Sequence, residues 1–275
     1  MEYPGKVFLT SEQQAFMDDC FKKFNKNLPA LYLRFTCALP TLYLRFTCAL
    51  LALYMRFTCA LLALYLDDII FQSGNIEINR GDIDDILTNQ YLADNHVDAF
   101  AFLLSEKRRI LPKEFQNYLY ISPLYMAYRG YKQDFQIFIQ HINSDSVRES
   151  KLIIQPICFQ DHWVLVIGRL KDKVWKLYDS LPNPEHKAIC TEVIKQIHED
   201  KAGAFPSDIA TWKLQTVRGV PTQSNDYDCE IFVCKYMERV VLRQKMDWAS
   251  LKDWQKYMLK FRVELGYALC LTTKM

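Results

Sequence analysis

The chain has 275 residues, half of them apolar, and a formal net charge of +2 from 34 basic and 32 acidic side chains. That is enough apolar material for one or two packed domains, and too little positive charge for the basic footprint of a nucleic-acid-binding protein. Nine cysteines, odd in number and unpatterned, and an amino terminus without a charged start ahead of an apolar stretch, point to a reducing compartment, nucleus or cytoplasm.

In chain order, residues 1–29 are polar, with one helix expected over 11–24. An eleven-residue repeat then occupies about 31–66: Leu31-Tyr32-Leu33-Arg34-Phe35-Thr36-Cys37-Ala38-Leu39 recurs from Leu42 and, with Met55 for Leu, from Leu53. Eleven residues make almost three helical turns, so a helix would align Arg34, Arg45 and Arg56 in one stripe; as strands the copies are equally acceptable by propensity. A membrane span would bury an arginine from every copy at roughly 2.5–3.5 kcal/mol each, which argues against one. The near-identical copies fit a passively carried duplication, since eleven residues is short for one packing unit; a partner-binding amphipathic helix is the other reading. This segment defines an N-terminal extension, 1–75, ahead of a domain over 76–275.

That domain opens on a strand near 75–79 and helices over 82–88 and 94–107, the second with Val97, Phe100, Ala101 and Leu104 on one face. Segments 118–130 and 134–142 read as helices and 151–159 as a strand. Two β-rich runs, 162–170 and 174–179, flank the polar turn Lys171-Asp172-Lys173, a hairpin signal. A helix over 185–199, a strand over 212–217, a helix from Cys229 to about 244 and a last helix over 250–265 follow. The mixture implies an α+β fold, a small mixed sheet flanked by helices.

Centring the hairpin between Leu170 and Lys171 sets Val166 opposite Trp175, Val164 opposite Leu177 and His162 opposite Asp179. Opposed residues share a face at roughly 5 Å. A carboxylate there accepts the His162 Nδ1 proton, fixes the tautomer and stabilises the imidazolium. Cys229 heads an apolar helix carrying Ile231, Phe232, Val233, Tyr236, Met237, Val240 and Val241, with Asp226 and Asp228 as capping types before it. A thiol in a first helical turn gains thiolate character from the unsatisfied N–H groups, and more from a nearby imidazolium. Gln223, six residues earlier in a polar loop, offers an amide to a developing oxyanion. Taken singly, each is most often structural: a small core cysteine, a strand-initial histidine, a turn-capping aspartate. Their joint order is what points to nucleophilic acyl transfer.

These residues resemble the ubiquitin-like-protein-specific (SUMO/sentrin-type) cysteine proteases, related in fold to the adenoviral proteinase and papain. The likeness rests on His162-Trp163, Asp179, and Gln223-x-Asn225-x-Tyr227-Asp228-Cys229-x-x-Phe232-Val233-Cys234. Asp84-Asp85-Ile86-Leu87 followed by Tyr91-Leu92-Ala93-Asp94-Asn95-His96-Val97-Asp98 extends it, so that it covers about 76–265. It implies a papain-like fold with the nucleophile Cys229 at a helix N-terminus, His162 as base, Asp179 as its orienter and Gln223 as oxyanion donor. It also implies that Trp163 and Tyr91 line a narrow tunnel for a Gly-Gly tail.

The implied activity is cleavage after the C-terminal Gly-Gly of SUMO or a related modifier, by a monomer acting on that modifier and its conjugates. No metal or organic cofactor is required, and the cysteines and histidines lack zinc spacing. Glu230 stands where the family usually carries Gly, and Tyr91 where it usually carries Trp. A carboxylate roughly 6 Å from the sulfur opposes thiolate by about 1–3 kcal/mol at intermediate dielectric, and by almost nothing if it points to solvent. Two alternatives follow: a catalytically impaired homologue that binds a modifier tail, or a Cys-dependent acyltransferase.

Overall fold

A computed structural model describes residues 6–25 (side chains as far as 18), 68–243, 248 and 253–272. The repeat over 31–66 lies outside the described residues. By contacts the chain divides into two compact units, 1–88 with 262–275, and 89–261.

In the first unit, helix α1 (Ser11–Asn25) precedes an antiparallel hairpin of β1 (Ile69–Ser73) and β2 (Ile76–Asn79), then α2 (Arg80–Leu87). Asn79 ends the strand and starts the helix: its side chain accepts from the Asp82 N–H, and Asp82 returns the bond, a capping box. From residue 262 onward the last helix, α9 (Trp254–Thr272), belongs to this unit, where Tyr267 meets the Phe16 ring edge-on at 5.4 Å.

In the second unit, α3 (Asp94–Ile110) leads to β3 (Tyr118–Tyr120), three short helices α4 (Leu124–Gly130), α5 (Gln136–Ile139) and α6 (Ser144–Glu149), then β4 (Leu152–Phe159), β5 (His162–Arg169) and β6 (Val174–Asp179). Helix α7 (Pro184–Lys201), β7 (Lys213–Thr216) and α8 (Cys229–Val241) follow. The sheet order is β3-β4-β5-β6-β7, parallel at both edges and antiparallel in the middle. The expected mixed sheet flanked by helices is therefore present. Residues 118–120 form an edge strand, however, and not the start of a helix. Tyr118, Leu119 and Tyr120 pair with Leu152, Ile153 and Ile154, and aromatic side chains on a half-buried edge suit a strand at least as well as a helix.

Strand β4 holds Pro156, an unusual residue inside a sheet. The Ile154 carbonyl accepts from Ile121 on the β3 side, and backbone groups two residues apart point the same way, so the missing Pro156 N–H faces past the end of β3, where no ladder bond is lost. The β4–β5 connection is the pair Gln160-Asp161, with φ of 45° and 61°. Two positive φ values are what a two-residue type I′ hairpin needs. This tight reversal delivers His162 directly onto β5.

One face of the sheet carries Val164, Val166, Trp175 and Leu177 into a core completed by Val193, Ile194 and Ile197 of α7. Trp175 is wholly buried across from Gly168. A Cβ at 168 would stand 2.8 Å from its ring, so this strand position needs glycine.

Candidate active site

The hairpin register differs from the sequence-based one by two residues. Val164 pairs with Asp179, Val166 with Leu177 and Gly168 with Trp175, because the loop takes in Leu170 as well as Lys171–Lys173. A shift of two preserves the face. His162 is thus diagonal to Asp179, within reach of a long side chain, and the two meet: His162 Nε2 lies 2.9 Å from Asp179 Oδ1. The expectation that Nδ1 would face the carboxylate is overturned. It is Nε2 that does so, and Nδ1 makes no hydrogen bond among the described residues.

Asp179 is almost fully buried and has three donors among the described residues. Oδ1 accepts from His162 and from the Leu181 N–H at 3.0 Å, and Oδ2 lies 2.6 Å from Nδ1 of His186. Burial raises its pKa, but the bonds from His162, His186 and Leu181 outweigh it and hold the carboxyl below its usual range. His186 was absent from the sequence-based site. Its signal was there: Asn183 and Pro184 are a helix start, which puts residue 186 in the first turn, close to the strand end at 179.

Cys229 is the first residue of α8 and is buried. Asp228 occupies the N-cap but gives no capping bond; its carboxylate instead receives Asn225 Nδ2 at 2.7 Å and Gln255 Nε2. The sulfur lies 3.9 Å from the Asp161 carbonyl oxygen and faces the Trp163 backbone N–H, so it touches both chain neighbours of His162. The thiol donates not to the imidazole but to Glu230 Oε2, at 3.4 Å. Glu230 is only 2% exposed and its Oε1 accepts the Leu92 N–H at 3.3 Å. The carboxylate is therefore nearer than the roughly 6 Å expected from sequence, and it points inward. Burial, and then the Glu230 charge, push the Cys229 thiol well above its ordinary value.

Gln223 is buried in the loop before α8 and tied to the residue after Asp179: its N–H donates to the Ser180 carbonyl at 3.0 Å, and Ser180 Oγ donates to its Oε1 at 2.6 Å. Its Nε2 donates to the Asn225 carbonyl at 2.8 Å. An amide NH₂ carries two protons, so one remains without a partner among the described residues.

Trp163 and Tyr91 line one cleft of about 780 Å³, with Leu92, Asp94, Asp161 and Glu230 among the other walls. Trp163 is 4% exposed and Tyr91 53%. The cleft is electronegative: Cys158, on its wall, is pushed up to about 11 by burial and by the carboxylates of Glu230, Asp161 and Asp94. Among the described residues, the trio able to bring His, Cys, Asp or Glu donors together on a metal is His162, Asp179 and His186, with ligand atoms within 4.8 Å of one another. Their mutual hydrogen bonds already account for this proximity.

A cysteine heading a helix against a mixed five-stranded sheet, with a His–Asp pair at the sheet's end, is the papain-like cysteine-protease fold. The profile of the Ulp1 protease family, C-terminal catalytic domain, matches residues 95–269, and the chain belongs to that family. It is similar to human Sentrin-specific protease 2, 24% identical over 203 residues, covering 67% of this chain and 34% of that protein. It is likewise similar to Ubiquitin-like-specific protease 1A of Arabidopsis thaliana, 23% over 183 residues, covering 62% and 36%. The chain thus spans about a third of the length of these relatives. Among solved structures, the SUMO protease Ulp1 with its catalytic cysteine oxidised to a sulfenic acid gives a TM-score of 0.54 at 22% identity, over 78% of this chain and 93% of that one. The C-terminal Ulp1 protease domain in complex with Smt3, the yeast ortholog of SUMO, gives 0.53 at 22%, over 74% and 87%.

Proposed function

We propose that this chain is a cysteine-type peptidase that hydrolyses the bond after the C-terminal Gly-Gly of SUMO or a related ubiquitin-like modifier. One observation carries the reading: the thiol heading α8 lies against the backbone on both sides of His162, whose ring is held by Asp179. With Nε2 engaged by the carboxylate, the neutral imidazole keeps its lone pair on Nδ1, the nitrogen available as base.

In this mechanism Cys229 first turns its S–H from Glu230 to His162 Nδ1, and proton transfer gives thiolate and imidazolium, the latter stabilised by Asp179. The sulfur attacks the terminal glycine carbonyl. The oxyanion is met by the Cys229 N–H at the helix start and by the second amide proton of Gln223. The imidazolium gives its proton to the departing amine, and a water activated by His162 then releases the acyl group. Tyr91 and Trp163 form the walls of the Gly-Gly site: a narrow aromatic passage admits residues without side chains and rejects others.

The reading places the activity in a domain over 76–275 behind an extension, 1–75, acting as a monomer in the nucleus or cytoplasm on the modifier and its conjugates. Free thiols at Cys158, Cys190 and Cys229 fit a reducing compartment. No helix among the described residues is long and apolar enough to cross a membrane. The Glu230–thiol contact favours a second reading, a homologue that grips the tail and cuts it slowly or not at all.

Turnover of a panel of modifiers bearing a C-terminal fluorogenic amide tests the choice. The protease reading expects release from at least one by the parent and none by Cys229→Ala. Saturable binding with no release by the parent supports the second reading.

A further inference from the structure

We infer that His186 is a positioning residue for the His162–Asp179 pair: its ring N–H fixes the carboxylate so that His162 is held in the single tautomer that leaves Nδ1 free. The inference rests on the protease reading for its importance to rate, but its geometry stands by itself.

The chain sets His186 in place by local means. Asn183 caps α7, its side chain accepting from Glu185 N–H at 3.0 Å; Pro184 takes the first turn, where no N–H is needed; and the His186 N–H donates to the Asn183 carbonyl at 3.2 Å. Helical side chains lean toward the N-terminus, which here is toward the end of β6. The ring is buried, with Nδ1 2.6 Å from Asp179 Oδ2. It lies 4.9 Å from the His162 ring at a 30° tilt, and the Phe159 ring abuts it at 4.7 Å.

A carboxylate only accepts. Both rings that meet it must therefore donate, His186 through Nδ1–H and His162 through Nε2–H. The Leu181 N–H and His162 share Oδ1, so among the described residues the His186 bond is the one side-chain hydrogen bond to Oδ2, and it sets the rotation of the carboxylate plane. Without it the plane is free to turn, and Oδ1 no longer selects one nitrogen of His162.

The test uses the full chain and two readouts. In wild type, nitrogen-proton correlation spectra are expected to show neutral His162 in the Nε2–H tautomer alone. In His186→Phe, which keeps ring volume but has no donor, a mixture is expected, with kcat reduced about tenfold and KM unchanged. His186→Asn, whose amide nitrogen stands near the position of Nδ1, is expected to restore the single tautomer and most of kcat. Should His186→Phe fail to fold, His186→Ala supplies the same comparison. A single Nε2–H tautomer in the donor-less variant, or a mixture that Asn does not correct, overturns the inference. If wild type cleaves no modifier, the protease reading fails while the spectra still decide this one.

Discussion

Glu230 turns its carboxylate onto the thiol of the residue before it, Oε2 standing 3.4 Å from Cys229 Sγ while Oε1 holds the Leu92 N–H. The usual helix-start benefit to a cysteine is opposed at this site by a buried negative charge next door. Glu230→Gln retains an acceptor for Leu92 and removes the charge, and Glu230→Gly removes both. Each is expected to lower the Cys229 pKa and to raise its alkylation rate by iodoacetamide at pH 7 by about tenfold or more, one pKa unit being a factor of ten in thiolate. Equal rates in parent and variants would show that the carboxylate does not govern the thiol.

In the proposed mechanism Asp179 fixes the tautomer of His162 through its contact with Nε2. Asp179→Asn presents an amide that can donate to His162, which favours the wrong ring nitrogen. A loss of kcat of up to about 10⁴-fold is expected, with little change in KM, as an orienting carboxylate implies. Near-normal turnover would remove Asp179 from the mechanism.

Asp98 offers a pH test away from the site. It is buried, with Oδ1 receiving Tyr120 OH and Oδ2 receiving Ser122 Oγ, each at 2.7 Å. Burial outweighs those two bonds and raises its pKa to about 6. A folded-state pKa above the unfolded one means that the native state binds more protons between about pH 4 and 6, so this group's contribution falls as pH rises through that window and is fully unfavourable above it. Stability relative to Asp98→Asn should improve by about 2 kcal/mol on acidification from pH 7 to 4, read from urea melts. A pH-independent difference would contradict the shift.

Gly168→Ala tests the sheet that carries the site. Its Cβ would stand 2.8 Å from the Trp175 ring, which is wholly buried and donates Nε1–H to the Ile209 carbonyl at 2.9 Å. Such crowding costs about 1–3 kcal/mol. Unchanged stability would mean that the ring moves freely.

The sequence made the site legible where chemistry depends on local pattern. The helix headed by Cys229 and the two strands bearing His162 and Asp179 follow from apolar periodicity and turn composition, and a register wrong by two residues still put the pair on one face, because strand parity is insensitive to an even shift. Which ring nitrogen meets the carboxylate was not legible, since it depends on side-chain rotation about bonds that periodicity does not constrain. His186 was missed because a histidine inside an amphipathic helix has no local mark of its own; only its distance from the cap at Asn183 betrays it. The inward turn of Glu230 depends on Leu92, 138 residues away in sequence, and Tyr118–Tyr120 took strand form through pairing with 152–154, which no local window contains.

In the proposed mechanism Cys229 attacks the terminal carbonyl of a modifier tail, and covalent capture by an electrophile at that position reads the attack. The full chain is incubated with SUMO, ubiquitin and related modifiers ending in a propargyl amide, and adducts are mapped by mass spectrometry. A vinyl thioether at Cys229 with at least one modifier, absent in Cys229→Ala and slowed in Asp179→Asn, is the expected result. No adduct with any modifier, or one that persists in Cys229→Ala, would contradict it.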